Sequence, residues 1–288
     1  AHALAFCQAV EQAARCRVPV RALLLRSMLA ELERLYNHLH YLGHLSHTTS
    51  LKVGEAEGKL LEERIKQING RLTGSRFLRS LLIPGGLRRD LDPKPWLARE
   101  LERLRGQIVT YAGMLETTNS HLDRLITTGV LTHEVAFDQG ATGPIQRASG
   151  FDRDLRRDHP YAAYTALPPS VPVKTSGDAH ARAQIRIAEI GASLDLIRGA
   201  LELLEDGPVR AECMPRPDCE GLGWAESPRG SLFYAVHLDA GGTLSRVKIK
   251  SPSFSNWRVF PFTVHNSNMM DYAINEASFG LTIAGCDR

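Results

Sequence analysis

The stretch VRALLLRSMLAELERLYNHLHYLGHL, residues 20–45, places apolar side chains at helical spacing, with no proline and no glycine before Gly43. A helix of that length is about as long as a small domain is wide, so other long helices must lie beside it to bury its apolar stripe. The sequence supplies them. A second helical pattern runs from about Ala56 to Leu82 and stops at Ile83-Pro84-Gly85-Gly86, a strong breaker. After Pro93 and Pro95 a third, WLARELERLRGQIVTYAGMLETTNSHLDRLI, runs to about Ile126. A fourth starts near Asp178, acidic in its first turn, and runs to about Leu204. Residues 127–176, rich in glycine, proline and charge, read as a long ordered loop with at most a short helix near 132–138. A loop this long inside a domain usually has a function or lies against something. The period then changes: SLFYAVHLDAGGTLSRVKIKS is two alternating runs joined by Asp239-Ala240-Gly241-Gly242, a hairpin signal. A short helix near 268–277 leads into the end of the chain. The expected fold is mainly α, a bundle of long helices with a small antiparallel β element near the C-terminus, formed by residues 1–288 as a single domain. The opening AHALAFCQAVEQAA reads as the middle of a helix, so a natural N-terminal part is expected upstream of it.

Bulk properties narrow the function. A hydrophobic content of 43% and a charged content of 23% are ordinary for a globular protein. The net charge of +3 makes no case for a nucleic-acid partner. No run approaches the eighteen or so apolar residues that span a bilayer. The cysteines, Cys7, Cys16, Cys213, Cys219 and Cys286, are odd in number and widely spaced, with no C-x-x-C. A reducing compartment fits them better than a disulfide framework. Cys213 and Cys219 lie too far apart for the tighter pairs usual at zinc.

Four segments could carry chemistry. His40, His44 and His47 fall at i, i+4 and i+7 on one helix face, with His38 near it. That spacing can hold a metal, but the H-E-x-x-H pattern is missing and a polar packing face serves as well. In IPGGLRRDLD, residues 83–92, two glycines free the backbone to bend, and Asp90 can pair with Arg88 or Arg89. This is either a helix-to-helix turn or a loop at a cofactor or subunit contact. In GPIQRASGFDRDLRRDHPYAAY, residues 143–164, Arg147, Arg153, Arg156 and Arg157 interleave with Asp152, Asp154 and Asp158. The near balance of charge indicates an ion-pair network holding a loop rigid, partly buried at an interface. In Glu226-Ser227-Pro228-Arg229-Gly230, Pro228 fixes a turn that Gly230 permits, which would aim Arg229 in a defined direction.

In order along the chain, AELERLYNHLHYLG, LTGSRFLRSLLIPGGLRRDL, GPIQRASGFDRDLRRDHPYAAY, GDAHARAQIRIAEIGASLDLI, ESPRGSLFYAVHLD, RVKIKSPSFSNW and a closing Asp-Arg resemble one family over nearly all of its length. It is the family of the 49 kDa subunit of respiratory complex I (NADH-quinone oxidoreductase) and the large subunits of membrane-bound, energy-converting nickel–iron hydrogenases. The resemblance implies the hydrogenase large-subunit type of helix bundle. It implies an oxidoreductase subunit of an NADH–quinone oxidoreductase-like complex that does not turn over alone. Its partners would be an iron–sulfur small subunit and further subunits, some of them in the membrane. The implied location is the cytoplasmic face of the cell membrane, held there by partners. NAD would belong to another subunit, since no G-x-G-x-x-G follows a strand here.

Within the family the hydrogenases hold nickel and iron by two C-x-x-C pairs, the second just before the terminal Asp-Arg. Aligned on Asp287-Arg288, that pair falls at Thr282 and Gly285, neither a thiolate, and Cys286 lies one residue too late. The resemblance therefore implies that nickel has been lost and that this chain alone binds no cofactor. What corresponds to the nickel cavity would hold an electron acceptor, a quinone in complex I, beside an iron–sulfur cluster of the partner. Gly280-Leu281 departs from the Asp-Pro of both branches, and Asn256-Trp257 is closer to the hydrogenase branch, which leaves the branch open. Arg229 matches the family's Pro-Arg-Gly arginine and would line the emptied cavity. Arg88, Arg147 and Arg153 match arginines near the cluster-bearing partner.

Overall fold

The computed structural model describes residues 1–214, 216–265 and 267–286. The chain runs α1 (His2–Ala14), α2 (Val20–Thr48), α3 (Lys52–Thr73), β1 (Leu82–Ile83), β2 (Gly86–Leu87), α4 (Trp96–Thr117), α5 (Asn119–Leu125), α6 (His133–Asp138), α7 (Pro144–Ala148), α8 (Leu155–Asp158) and α9 (Ala179–Leu203). It continues with β3 (Glu220–Ser227), β4 (Gly230–Leu238), β5 (Leu244–Lys250), α10 (Pro252–Trp257) and α11 (Tyr272–Phe279). The expected mainly α bundle with a small antiparallel element is what forms.

The long helices α2, α3, α4 and α9 pack around one core. Leu25, Leu32, Leu35 and Leu39 of α2, Leu61 and Ile65 of α3, Leu97 of α4 and Ile197 of α9 are fully shielded from water there. A second core lies between α1 and the sheet. Ala5, Ala9 and Ala13, at i, i+4 and i+8, give α1 a smooth face that lies directly on β3, with Leu232, Val236 and Leu238 of β4 completing the layer. The sheet order is β3-β4-β5, all antiparallel, and alternate residues of β4 face that core.

Four boundaries differ from the sequence reading, each for a local reason. Helix α3 ends at Thr73 rather than near Leu82, because Gly74 takes the left-handed conformation (φ 70°) and closes the helix on the Gly70 carbonyl. The pattern read as one helix over 96–126 is broken at Thr118, which is extended. The run Thr117-Thr118-Asn119-Ser120 supplies side chains that compete with the backbone: the Thr117 and Thr118 hydroxyls donate to the Gly113 and Met114 carbonyls, at 2.8 and 2.7 Å. The loop 127–176 contains α6 as expected and also α7 and α8, too short for periodicity to reveal. The hairpin gains a third strand, β3, whose glycines at 221 and 223 hid it from an alternation test.

Asp178 ties this loop to the bundle. Its carboxylate caps α9 by accepting from the Ala181 amide at 2.8 Å, and it also accepts from the Thr127 amide at 3.0 Å and the Ser176 hydroxyl at 3.1 Å. Asp178→Ala is expected to lower stability by about 1–2 kcal/mol, read as a lower denaturant midpoint with an unchanged slope, and Asp178→Asn by less.

Candidate functional site

The turn Pro228-Arg229 joins β3 to β4 as the tightest pairing of the sheet, Ser227 opposite Gly230. The Ser227 hydroxyl donates to the Gly230 carbonyl at 2.9 Å and accepts from the Arg229 amide at 3.2 Å. Gly230 (φ 130°) and Gly143 (φ 66°) meet backbone to backbone: a Cβ on Gly143 would lie 2.3 Å from the Gly230 Cα, and one on Gly230 would lie 2.4 Å from the Thr142 hydroxyl. This contact presses the start of α7 against the turn and fixes where Arg229 points. Its guanidinium donates to the Gly280 carbonyl at 2.8 Å and to Asn37 Oδ1 at 3.2 Å.

Arg229 forms one wall of a cavity of about 210 Å³, closed by Asn37, His38, Tyr41 and His44 of α2, Arg186 of α9 and the segment Gly280–Thr282. Arg186 stacks on the Tyr41 ring at 3.8 Å and donates to the Phe279 carbonyl at 2.9 Å. Among the described residues no carboxylate lies within ion-pair reach of Arg186 or Arg229, so neither guanidinium at the cavity wall is directly paired, Glu189 and Glu33 acting on them only from farther away. Burial lowers both guanidinium pKa values, and for Arg229 the neighbouring Arg186 adds to the effect.

Behind that wall is a buried ion network. Glu189 accepts from His38 Nε2 at 2.7 Å, from Arg34 Nη1 at 3.3 Å and from Arg147 Nε at 3.1 Å. Arg147, 0% exposed, continues to Glu226 at 3.0 Å and Asp154 at 3.5 Å. Asp154 holds Arg156 at 2.7 Å, and Arg156 reaches Glu31 at 3.1 Å. Glu31 also accepts from Arg34, from the Tyr164 hydroxyl at 2.5 Å and from the Ser193 hydroxyl at 2.6 Å.

Burial alone would raise the carboxyl pKa values. For Glu31, Arg156 and Arg34 reverse this, and for Glu189, Arg147 and His38 do so. Asp154, beside Arg156 and Arg147, is lowered to about 2. His38 is lowered to about 4 by burial, which outweighs its hydrogen bond to Glu189.

The residues expected to matter are distributed between sites. Arg229 stands at the cavity wall. Arg147 is buried in the ion network, while Arg88 and Arg153 are exposed outside it. The Arg153 side chain lies over the Phe151 ring at 5.7 Å, and its carbonyl accepts from Arg147 at 2.9 Å. The charged run 152–158 splits: Asp154 and Arg156 go inside, whereas Arg157 pairs with Asp152 and Asp158 at the surface. Asp90 pairs with Arg21 rather than with Arg88 or Arg89. The turn Pro84-Gly85-Gly86 is held by the buried Arg26–Glu11 pair, through the Ile83 and Gly86 carbonyls and the Gly85 amide.

His40 and His47 bond to Glu62 and Glu55 across the α2–α3 contact, and the three rings stack along the helix. Among the described residues no group of three or more histidine, cysteine or acidic side chains is placed to hold a metal ion. Thr282 and Gly285 do not make a thiolate site. The Thr282 hydroxyl accepts from the Gly285 amide at 3.2 Å, and a Cβ at Gly285 would lie 2.9 Å from that hydroxyl oxygen and 3.1 Å from Ser253. The alignment anchor, Asp287-Arg288, lies outside the described residues.

Sequence reasoning passed over Glu189, Arg186, Arg34 and Glu31, and set His38 only beside the face of His40, His44 and His47. The signal was present: Glu31, Arg34, His38 and Tyr41 recur at spacings of three and four, as do Arg182, Arg186, Glu189 and Ser193. Each is a polar stripe on a helix that carries a second polar face at the surface, such as His40, His44 and His47 on α2, and polarity alone does not tell the buried stripe from the exposed one.

The long-helix bundle with its small sheet, enclosing a cationic cavity backed by a buried ion network, has the fold of a respiratory-complex subunit. The family model described as the respiratory-chain NADH dehydrogenase 49 Kd subunit matches residues 61–218 and 211–288, and the chain belongs to that family. It is similar to formate hydrogenlyase subunit 5 of Escherichia coli K12, with 32% identity over 94% of this chain, and spans about half of that relative (48%). It is similar to an NADH-quinone oxidoreductase subunit of Desulfotalea psychrophila, at 30% identity over 99% of this chain and 80% of the relative. NADH-quinone oxidoreductase subunit 4 of Thermus thermophilus is 32% identical over 100% and 78%. Among solved structures, a chain of the archaeal membrane-bound sulfane sulfur reductase superposes with a TM-score of 0.92 at 28% identity, over 99% of this chain and 80% of that one. The protein is a subunit of a complex I-like oxidoreductase. Among its described residues no helix is long and apolar enough to cross a membrane.

Two outcomes follow from the network. Arg147→Met leaves Glu189, Glu226 and Asp154 without their shared cation and is expected to cost about 3–5 kcal/mol in denaturant unfolding, against less than about 0.5 kcal/mol for the exposed Arg153→Ala. Stability should also fall with acid. The unfolded chain takes up a proton at the ordinary histidine value of 6.5, but folded His38, like His121, resists until about 4. The contribution of these two histidines is therefore complete above 6.5 and declines as the pH falls through that interval. Glu31, Glu189 and Asp154, lowered in the fold, contribute stability that is lost at still lower pH. Unfolding midpoints measured against pH should show His38→Gln flattening the first decline and not the second.

Proposed function

We propose that this chain is the subunit in which electrons from a partner's iron–sulfur cluster reach an acceptor held in the Arg229–Arg186 cavity, the nickel site of its hydrogenase-related ancestry having been lost. The assembly would be membrane-associated, of the NADH–quinone oxidoreductase or hydrogenase-related kind, with NAD handled elsewhere and the chain held at the cytoplasmic face by its partners. The observation that carries this reading is the pair of guanidinium groups without carboxylates at the cavity wall. An acceptor becomes more negative as it takes electrons. Preorganised positive groups in a site shielded from water favour that change more than they favour the resting acceptor. Arg229 and Arg186 would orient the acceptor's oxygen or sulfur atoms, Tyr41 would hold Arg186 in place by stacking, and Asn37 would fix Arg229.

A cavity of about 210 Å³ is smaller than the roughly 300–1,000 Å³ usual for a whole drug-sized ligand. It has room for the ring of a quinone, with the tail outside. The same size favours a second reading in which the acceptor is a small sulfur anion, in line with the archaeal sulfane sulfur reductase that shares this fold.

The test is the nickel and iron content of the full-length protein purified with its small subunit, followed by assay of acceptor reduction. Iron at the level of the partner's clusters and no nickel is expected. Stoichiometric nickel would make this an active hydrogenase subunit and overturn the reading. In the intact complex Arg229→Met should slow reduction of the accepted substrate, quinone or polysulfide, roughly a hundredfold, with Arg229→Lys retaining part of the rate. Reduction of neither substrate by a complex with all its clusters would indicate a scaffold that has kept only the fold.

A further inference from the structure

The buried network holds one carboxyl group more than its cations match. Arg34, Arg147 and Arg156 face Glu31, Glu189, Asp154 and Glu226. Three of the four carboxylates are tied by two guanidinium groups each: Glu31 by Arg34 and Arg156, Glu189 by Arg34 and Arg147 (with His38 as a neutral donor), Asp154 by Arg147 and Arg156. Glu226 differs. Its side chain meets one guanidinium, Arg147, through Oε1, and its Oε2 accepts from the Ser231 hydroxyl at 3.1 Å.

That geometry satisfies Glu226 in either protonation state. As a carboxylate it accepts from Arg147 and from Ser231. As a carboxylic acid it keeps the Arg147 bond at Oε1 and donates from Oε2 to Ser231, whose hydroxyl turns from donor to acceptor. No other carboxyl in the network has a partner that can reverse its role and also opens to solvent. Glu31 bonds two hydroxyls, but Tyr164 and Ser193 are both buried. Ser231 lines a second cavity of about 540 Å³, with Gln146, Arg153, Asp154 and Asp158 among its polar walls. The network therefore bridges two cavities: His38 at the first, then Glu189, Arg147, Glu226, and Ser231 at the second.

We propose that Glu226 is a proton-binding site of the complex, filled and emptied through Ser231 from the second cavity, with its occupancy set by the charge in the first. Charged and titratable groups face it from every element packed around it. They are Arg34 of α2, which donates to its backbone carbonyl at 2.6 Å, Arg147 of α7, and Asp154 and Arg156 at α8. The Tyr161 hydroxyl accepts from its amide at 2.8 Å. Burial and then Asp154 push the Glu226 pKa up, and Arg147 and Arg34 only partly oppose them, so this carboxyl titrates above the ordinary range while its neighbours stay ionised. Negative charge arriving in the first cavity is felt through the His38–Glu189–Arg147 line and favours the proton further. No proton passes through Arg147, which stays charged throughout. The coupling is electrostatic.

The experiment is infrared difference spectroscopy on the intact complex, following the carbonyl stretch of a protonated carboxylic acid and its shift on transfer to heavy water. In the resting complex, as the pH is raised from acid through and above the ordinary carboxylate range, a titrating band is expected that is absent from Glu226→Gln, a substitution that keeps an oxygen for Arg147 and a polar group for Ser231. Ser231→Ala should keep the band and slow its exchange at least tenfold. Chemical reduction of the complex should increase the band in the parent and not in Glu226→Gln. A band that survives Glu226→Gln, or no titrating band in a folded parent complex, would overturn the assignment. Unchanged exchange in Ser231→Ala would overturn the route. The resting measurement needs no acceptor, so it stands or falls separately from the proposal for the first cavity.

Discussion

Glu189 and Arg147 form the contact on which this structure turns. It joins α9 to α7 directly, and through Arg34, His38 and Glu226 it ties in α2 and the end of β3. Isolated charges at this depth would be prohibitively costly, so each charge present requires the others to be in place. A network of this kind adds less to net stability than well-packed apolar side chains would. It admits few alternative arrangements, because shifting α7 or the β3–β4 turn by one position would leave buried ions unpaired. The close backbone meeting of Gly143 with Gly230 works in the same direction, since only glycine at both positions lets the two segments touch.

The site inherits its properties from that arrangement. The network's carboxylates are engaged by Arg34, Arg147 and Arg156, so none remains within reach of Arg186 and Arg229. Those two arginines are satisfied by carbonyl oxygens and an aromatic face instead, which meets their hydrogen-bonding needs but leaves them without a direct counter-ion. A cavity walled in this way attracts electron density. Thr282 and Gly285 lie on the C-terminal segment and Arg229 on the β3–β4 turn, so the two sides of the cavity come from different parts of the chain. Arg182, with its pKa lowered to about 10 by burial, extends the cationic region beneath Phe279.

The family resemblance was legible because its motifs are backbone-limited: Pro228-Arg229-Gly230 and the Gly-Pro of residues 143–144 must be those residues for the turn and α7 to meet. Arg229 was singled out from that turn and stands at the cavity. Arg147 was singled out as well, but nothing in a run of alternating arginines and aspartates tells which members turn inward. His38 was set beside its more conspicuous neighbours His40, His44 and His47, although it alone of the four is fully buried.

The sequence by itself determined the long helices, since their apolar periodicity leaves no other way to hide so many leucines, and the hairpin, since its alternation and glycine turn admit no helix. It also determined the absence of a thiolate pair at residues 282 and 285. Which charges become the interior was decided by tertiary structure alone. Arg156 and Arg157 are adjacent and chemically identical, yet one is buried against Glu31 and Asp154 and the other lies at the surface against Asp152. The difference is made by Glu31, 125 positions away, because an ion is stable inside a protein only where the rest of the fold delivers its counter-ion.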